Sequence, residues 1–549
     1  MLIFNWKKIG MMIAFAVIIL YLLLIYKDPF SERTLIPNFE PQPDTFNYID
    51  PALNLVKGKS FNLNRDGRIR VQAVPPLYSL SLMPMFLLKK DPRMAYYANV
   101  ILSLTSLLFF WLILQKVFIN KFIVFSLLIL YVTNYFIYWV PSLIMAENLT
   151  LTLFLISIFF ILSKSGKISQ ILLAGLAIGL YATKYANIPL TLTIIFLSLG
   201  KIVFTKTILR QKIKLTTFFL ITVLLFFAIL AVFEGFTKGN NIFTQIFEHL
   251  SSIEKSIPKN ASSVVGSNST WFGVQYVRQN LPLYVNSLFG SPNRFLWDQT
   301  PLVPKFIAIF ALAGIISGVF SKKNKLLSLI LLLSIFSSVI FMSTFYTFDA
   351  RYIYIAIPSL IIGFGLFLTL IENRLLNKKI IFNLLISVFI FIYLLNNFTR
   401  IKSQISLNLR YAETPWNYIA VLKMNEYFTY QKVVSGKQPV LISALPPFLI
   451  DYYSNGNFSL LPLSYEQEFR GIKEIVWGPN DYSDLPKLYK KYLNDGYDVY
   501  VSRAGLGNEG YTNRDFNMIV NEFDTRLVQP GCFDQCNIYS VKLKQKNDR

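Results

Sequence analysis

The sequence predicts an all-α polytopic membrane protein of about eleven transmembrane helices, followed by a small extracytoplasmic α/β domain. Three observations predict it. Of 549 residues, 54% are hydrophobic and only 15% are charged, whereas soluble domains carry about 25% charged residues. Apolar runs close to the length needed to cross a ~30 Å hydrocarbon core, at ~1.5 Å per helical residue, recur along the first 396 residues. Short basic stretches separate those runs on one side only, the pattern of cytoplasmic loops.

The first run, 9–26, follows Lys7 and Lys8 and has no small-residue cleavage site, so it reads as a retained signal anchor with its N-terminus inside. In the polar segment 27–93 that follows, residues 75–90 are apolar for only about a dozen positions and contain Pro84. That is too short to cross and predicts a helix lying in the interface. Runs at 94–115, 122–140, 144–162, 168–183, 186–204 and 215–233 come next. The stretch 168–204 is too long for one span, and its flanks, Lys164 to Lys167 and Lys201 to Lys214, are both basic. The chain between them therefore crosses twice and leaves Tyr181 to Asn187 outside.

A second polar segment, 234–303, precedes runs at 304–320, 326–345, 352–371 and 380–396. Counting from an inside N-terminus puts 27–93, 234–303 and the tail 397–549 on the outer face. The expected organisation is a membrane domain over 1–396 and an extracytoplasmic α/β domain over 397–549. In the tail, Thr414-Pro415 supplies a cap and first-turn proline for a helix reaching Tyr430. Strand-like runs follow at Val440 to Ala444, Val499 to Arg503 and Ile538 to Leu543.

The net charge of +23 does not mark a nucleic-acid partner. The short segments beginning at Lys7, Lys116, Lys164, Lys201, Lys322 and Glu372 hold about 17 basic residues against one acid. They thus supply roughly +16 of the excess as a positive-inside signal. One histidine, His249, excludes a multi-histidine metal centre, and two cysteines exclude a thiolate one. Chemistry must rest on carboxylates, Arg, Lys or Tyr.

On the outer face the ionisable groups at span ends are Asp44, Asp50, Glu147, Lys184, Asp349 and Arg351. Glu147 lies six residues past Pro141, one to two turns below the surface, where a carboxylate is costly and marks a functional candidate. Asp349-Ala350-Arg351-Tyr352 places a guanidinium within reach of a lipid phosphate, or alternatively forms a local Asp/Arg pair. Lys184 could act on phosphate as a point charge. Asp44 follows Pro41 and Pro43, which hold the chain extended, while Asp50-Pro51 reads as a cap and first-turn proline for a helix including Ala52. Cys532 and Cys536 could close a small disulfide loop. The sequon Asn148-Leu149-Thr150 falls within a span, Gly505-Leu506-Gly507 has no helix after it to cradle phosphate, and His249 reads as a loop or interfacial residue.

Asp44 with Tyr48, Ala52 and Gly58 resembles the first outer loop of C-type (GT-C) glycosyltransferases that use lipid-phosphate sugars, in particular glycosyltransferase family 39 and its bacterial relatives, which include protein O-mannosyltransferases and the lipid A aminoarabinose transferase. Pro75-Pro76-Leu77-Tyr78 is similar to a stretch in the bacterial members. Ala146-Glu147-Asn148, Gly175 to Lys184, and Arg351-Tyr352 with Pro358 resemble further family positions in the same order. The likeness covers roughly residues 1–400. It implies that Asp44 is the catalytic base and that Tyr48, Pro75, Pro76 and Tyr78 belong to the loop meeting donor and acceptor. Asp-Thr at 44–45, where the eukaryotic mannosyltransferases have Asp-Glu, departs from those enzymes.

The residues suit that chemistry. A sugar donor outside the cell must arrive on a polyprenyl phosphate, a leaving group that needs no protonation, so one carboxylate suffices where glycoside hydrolysis needs two. Asp44 would deprotonate a lipid, glycan or protein acceptor, and Arg351 and Lys184 would neutralise the phosphate. Glu147 and Asp349 are the supporting acids and the candidates for a divalent metal, which the sequence does not require. The competing class is a polytopic transporter or flippase, for which ionisable or broken-helix sites near mid-membrane are expected.

Overall fold

The computed structural model describes residues 6–30, 44–61, 63–65, 68–70, 74–163, 166–204, 208–238, 273–289, 301–345, 348–375, 379–410, 416–436, 438–443, 457–462, 465–469, 472–477, 485–503, 514–530 and 537–544. Pro41, Pro43, His249, Thr414, Pro415, Gly505, Gly507, Cys532 and Cys536 lie outside them.

Each apolar run folds as helix. The first ten helices are α1 (Trp6–Ile25), α2 (Asp44–Val56), α3 (Pro76–Leu88), α4 (Ala95–Val117), α5 (Lys121–Val132), α6 (Tyr135–Trp139), α7 (Glu147–Ile161), α8 (Lys167–Thr183), α9 (Ile188–Phe204) and α10 (Leu209–Lys238). Among the described residues, six helices are long and apolar enough to cross a membrane, and a seventh crossing is made if α5 and α6, bent by 59°, act as one. The bend falls at Asn134, whose amide donates to the Leu302 carbonyl at 2.6 Å while its carbonyl caps the Phe136 N–H at 3.1 Å. The segments Ala14–Ile25, Glu147–Ile161, Lys167–Thr183 and Lys305–Phe320 are shorter apolar helices, so length and composition count fewer spans than the eleven expected.

The bundle closes by small-residue packing. Helix Lys305–Phe320 lies against helix Ala356–Arg374 so tightly that a Cβ on Gly363 would stand 2.8 Å from the Ala311 carbonyl oxygen. Glycine there lets two backbones meet, which replaces the hydrophobic driving force that lipid removes.

Three helices depart from the expected boundaries. α2 begins at Asp44, so Pro51 is inside it and Asp50-Pro51 is not its start. The helix continues because Tyr48, Ile49, Ala52 and Leu53, on both sides of the proline, share one buried core, and that packing overrides the lost backbone hydrogen bond. α10 runs to Lys238 and carries Glu234, fully buried, beyond the expected end at 233; the Tyr185 hydroxyl donates to the Glu234 Oε1 at 2.9 Å. Helix Lys379–Arg410 runs unbroken across residue 396.

The tail contains a five-stranded sheet built from β1 (Val440–Ser443), β2 (Ser459–Pro462), β3 (Val499–Ser502), β4 (Phe523–Gln529) and β5 (Ile538–Leu543), in the order β2, β1, β3, β5, β4. β2, β1 and β3 are parallel, and β5 runs antiparallel to both its neighbours, β3 and β4. β1 and β3 are buried along their whole length, as parallel strands covered on both faces must be. Helix Trp416–Ser435 leads into the sheet, and its Val421, Met424 and Phe428 share one core with Tyr48 and Ile49 of α2 and Tyr78 and Phe86 of α3. The sheet domain thus rests on the platform made by α2 and α3.

Candidate functional site

The site is built where several helices end together. At its base is a buried polar network that begins in the Pro-Pro-Leu-Tyr stretch. Pro75 is extended and Pro76 is the first residue of α3, the position where a missing N–H costs nothing. Two residues on, the buried Tyr78 donates from its hydroxyl to Asn99 Oδ1 of α4 at 2.7 Å. The Asn99 amide donates to the carbonyls of Pro141 and Leu143, at 3.1 and 2.8 Å, and the Asn148 amide donates back to the Asn99 carbonyl at 3.0 Å. This fixes the non-helical stretch before α7, and with it Glu147, the first residue of that helix.

Tyr48 of α2 meets Tyr78 edge to face, with ring centroids 5.0 Å apart. Asp44 opens that same helix one turn earlier, and its side chain is outside the described residues. Tyr48, Pro75, Pro76 and Tyr78 are therefore one packed unit beneath the sheet domain and beside the start of α7.

Glu147 is 4% exposed. Its Oε1 accepts from Lys184 Nζ at 2.7 Å, and its Oε2, also buried, has no hydrogen-bond partner. Lys184 follows the last residue of α8, and its ammonium also stands 4.4 Å over the ring of Tyr352. Arg351 and Tyr352 belong to a 3-10 turn, Ala350–Ile353, capped by Asp349. The Asp349 carboxylate accepts the Arg351 backbone N–H at 2.8 Å and its guanidinium at 2.5 and 2.6 Å. Burial opposes the charge on Arg351, but Asp349 and then Glu147 outweigh it and hold the guanidinium protonated, above its ordinary pKa.

Glu147, Lys184 and Arg351, with Thr150, Asn187 and Tyr352, line a cavity of about 20 Å³, room for roughly one water. Each cation carries one carboxylate, so the four charges cancel. Both cations retain donors: an ammonium has three and a guanidinium five. Among the described residues no three His, Cys, Asp or Glu side chains gather as a metal site.

Sequence reasoning did not single out Tyr354 or Glu234. The Tyr354 hydroxyl donates to the Glu147 carbonyl at 3.1 Å, pinning the start of α7 from the far side of the cavity. Its signal was present as the third residue after Arg351 on a helical turn. Glu234 had none, because it falls one residue past an apolar run.

No protein-family model matches the chain and no curated protein matches it. Among solved structures the architecture is that of ArnT. The chain superposes on ArnT from Cupriavidus metallidurans bound to undecaprenyl phosphate with a TM-score of 0.55 and 9% identity, over 97% of each chain. The same protein in the apo state gives 0.53 and 9%, over 98% of this chain and 97% of that one. The fold thus agrees with the resemblance drawn from the motifs.

Proposed function

We propose that this chain is an inverting glycosyltransferase that moves a sugar from a polyprenyl-phosphate donor to an acceptor at the outer face of the plasma membrane. The observation that carries the reading is the alignment of nearly the whole chain with an ArnT structure bound to undecaprenyl phosphate, in a fold that here gathers Lys184 and Arg351 at one cavity.

In this reading Asp44 takes the proton of an acceptor hydroxyl or amine. The freed lone pair attacks the anomeric carbon from the face opposite the phosphate, the bond from that carbon to the phosphate oxygen breaks, and the polyprenyl phosphate leaves with the electron pair. One displacement inverts the centre. Arg351 and Lys184 neutralise the departing charge, each kept in place by its own carboxylate, Asp349 and Glu147. The tyrosines of the α2–α3 platform set the position of the loop that meets the substrates.

The topology in this reading is eleven crossings, with the N-terminus cytoplasmic and the sheet domain outside. The gathering of these charges at helix ends, where a transporter would place them along a mid-membrane path, favours transfer over transport.

The test is Asp44→Asn, which is isosteric and removes only the base. Sugar transfer measured by mass spectrometry of lipids, surface polysaccharide and envelope proteins falls at least 10²-fold, with the protein still inserted. Wild-type transfer by the variant removes Asp44 as the base.

A further inference from the structure

A second basic cluster stands apart from the cavity, at the junction of α1, α3 and α4. α1 ends at Ile25 and α4 begins at Ala95, so Lys27 and Arg93 lie at the same end of two apolar helices. Phe30 is its centre. Lys89 Nζ lies 3.8 Å and the Arg93 guanidinium carbon 4.3 Å from the centroid of that ring, which also stacks on Tyr97 at 6.3 Å. Lys27 Nζ is 6.0 Å from the ring of Tyr96.

Among the described residues neither carboxylate in the cluster pairs with a lysine. Asp28 accepts the Phe30 N–H and the Tyr97 hydroxyl, both at 3.0 Å. Asp91 caps its own turn and takes Arg93 in a fork, with contacts of 2.7 to 3.1 Å. Among the described residues Lys27, Lys89 and Lys90 have no carboxylate within salt-bridge distance. Lys27 is partly buried, and burial draws its ammonium down to about 8, the cost of a desolvated cation.

Immediately before the lysines, Leu87 and Leu88 at the end of α3 are 68% and 74% exposed. Two bare leucines followed by two lysines place the apolar pair in acyl chains and the ammonium groups at phosphate depth. Aromatic rings at the same level fix that depth.

We propose that Lys27, Lys89 and Lys90, beside the Asp91-paired Arg93, form a binding site for the phosphate headgroup of an anionic membrane lipid. The lysines supply what the phosphate lacks, the ring of Phe30 holds Lys89 and that of Tyr96 holds Lys27, and Leu87 and Leu88 seat the acyl chains. The site does not depend on the transferase reading, because it uses none of the cavity residues.

The experiment uses the full-length protein in phosphatidylcholine nanodiscs doped with a photoactivatable phosphatidylglycerol or, in parallel, a photoactivatable phosphatidylcholine. Crosslinked peptides are then mapped. The phosphatidylglycerol probe labels the segments around Phe30 and Leu87 to Tyr97, and the phosphatidylcholine probe does so several-fold less. Lys27→Gln/Lys89→Gln reduces labelling by about fivefold for each lysine removed, Lys27→Arg/Lys89→Arg keeps it, and Lys322→Gln/Lys323→Gln at the opposite end of the bundle leaves it unchanged. Equal labelling by the two probes, or unchanged labelling in the double Gln variant, overturns the site. Loss of labelling on adding inorganic phosphate at constant ionic strength identifies a soluble anion as the occupant and overturns the lipid assignment.

Discussion

The cavity and the Phe30 cluster are made from the same side-chain types and differ in how charge is balanced. At the cavity each cation is matched: Lys184 to Glu147 at 2.7 Å and Arg351 to Asp349 at 2.5 Å, with Glu147 nearly inaccessible. At Phe30 only Arg93 is matched, to Asp91 at 2.7 Å, while Lys89 leans on the aromatic face instead, and Lys89 and Lys90 are open to the surroundings. Matched, buried charges hold a fixed geometry and give little net stability, since desolvation offsets most of the attraction. Unmatched charges at a membrane surface hold loose geometry and attract anions over a Debye length. The first arrangement suits a reaction centre and the second a docking surface.

That contrast breaks most visibly at Lys184. Lys184→Met strands the Glu147 carboxylate in the interior, where removing one member of a buried pair costs about 3 kcal/mol. Thermal unfolding in detergent registers the loss. The double variant Glu147→Gln/Lys184→Met recovers much of it, because no buried charge is left. A single variant as stable as wild type shows that the pair is solvated and that the cavity does not differ from the surface cluster in this respect.

Arg351→Ala comes next. The guanidinium is proposed to contact donor phosphate, and a hydrogen bond to a charged group is worth about 1.5–3 kcal/mol, so donor affinity falls by about tenfold or more while acceptor affinity changes little. Direct binding of undecaprenyl phosphate checks this. Unchanged affinity confines Arg351 to its turn with Asp349.

How much of this was visible in the sequence follows from range. The helices and the strands β1, β3 and β5 could be read because hydrophobic period and β-branched runs are local signals. Pro51 misled because a local rule for first-turn proline was set against packing by Tyr48, Ile49 and Leu53, which are brought together only by α3 and the tail. Length alone did not fix the crossings either: Glu147–Ile161 is a helix of 15 residues, made short because Asn99 and Asn148 tie down the stretch before it. The charges at 147, 184, 349 and 351 were each visible as costly groups at span ends. Their pairing was not, since Glu147 and Lys184 lie 37 positions apart and meet only when α7 and α8 pack side by side.

The smallest effect expected tests how the platform is joined to the cavity. Tyr78→Phe deletes only the hydroxyl that donates to Asn99 Oδ1 and keeps the ring against Tyr48. The buried acceptor loses one partner, at a cost of about 1 kcal/mol, and the Asn99 amide is then held toward the carbonyls of Pro141 and Leu143 by its own two bonds alone. Glu147 begins its helix four residues past Leu143, so a small loss of stability is accompanied by a fall in kcat with donor affinity retained. A variant that loses stability and keeps kcat shows that the network supports the bundle alone, and the platform then owes its place at the site to the packing of Tyr48 against Tyr78.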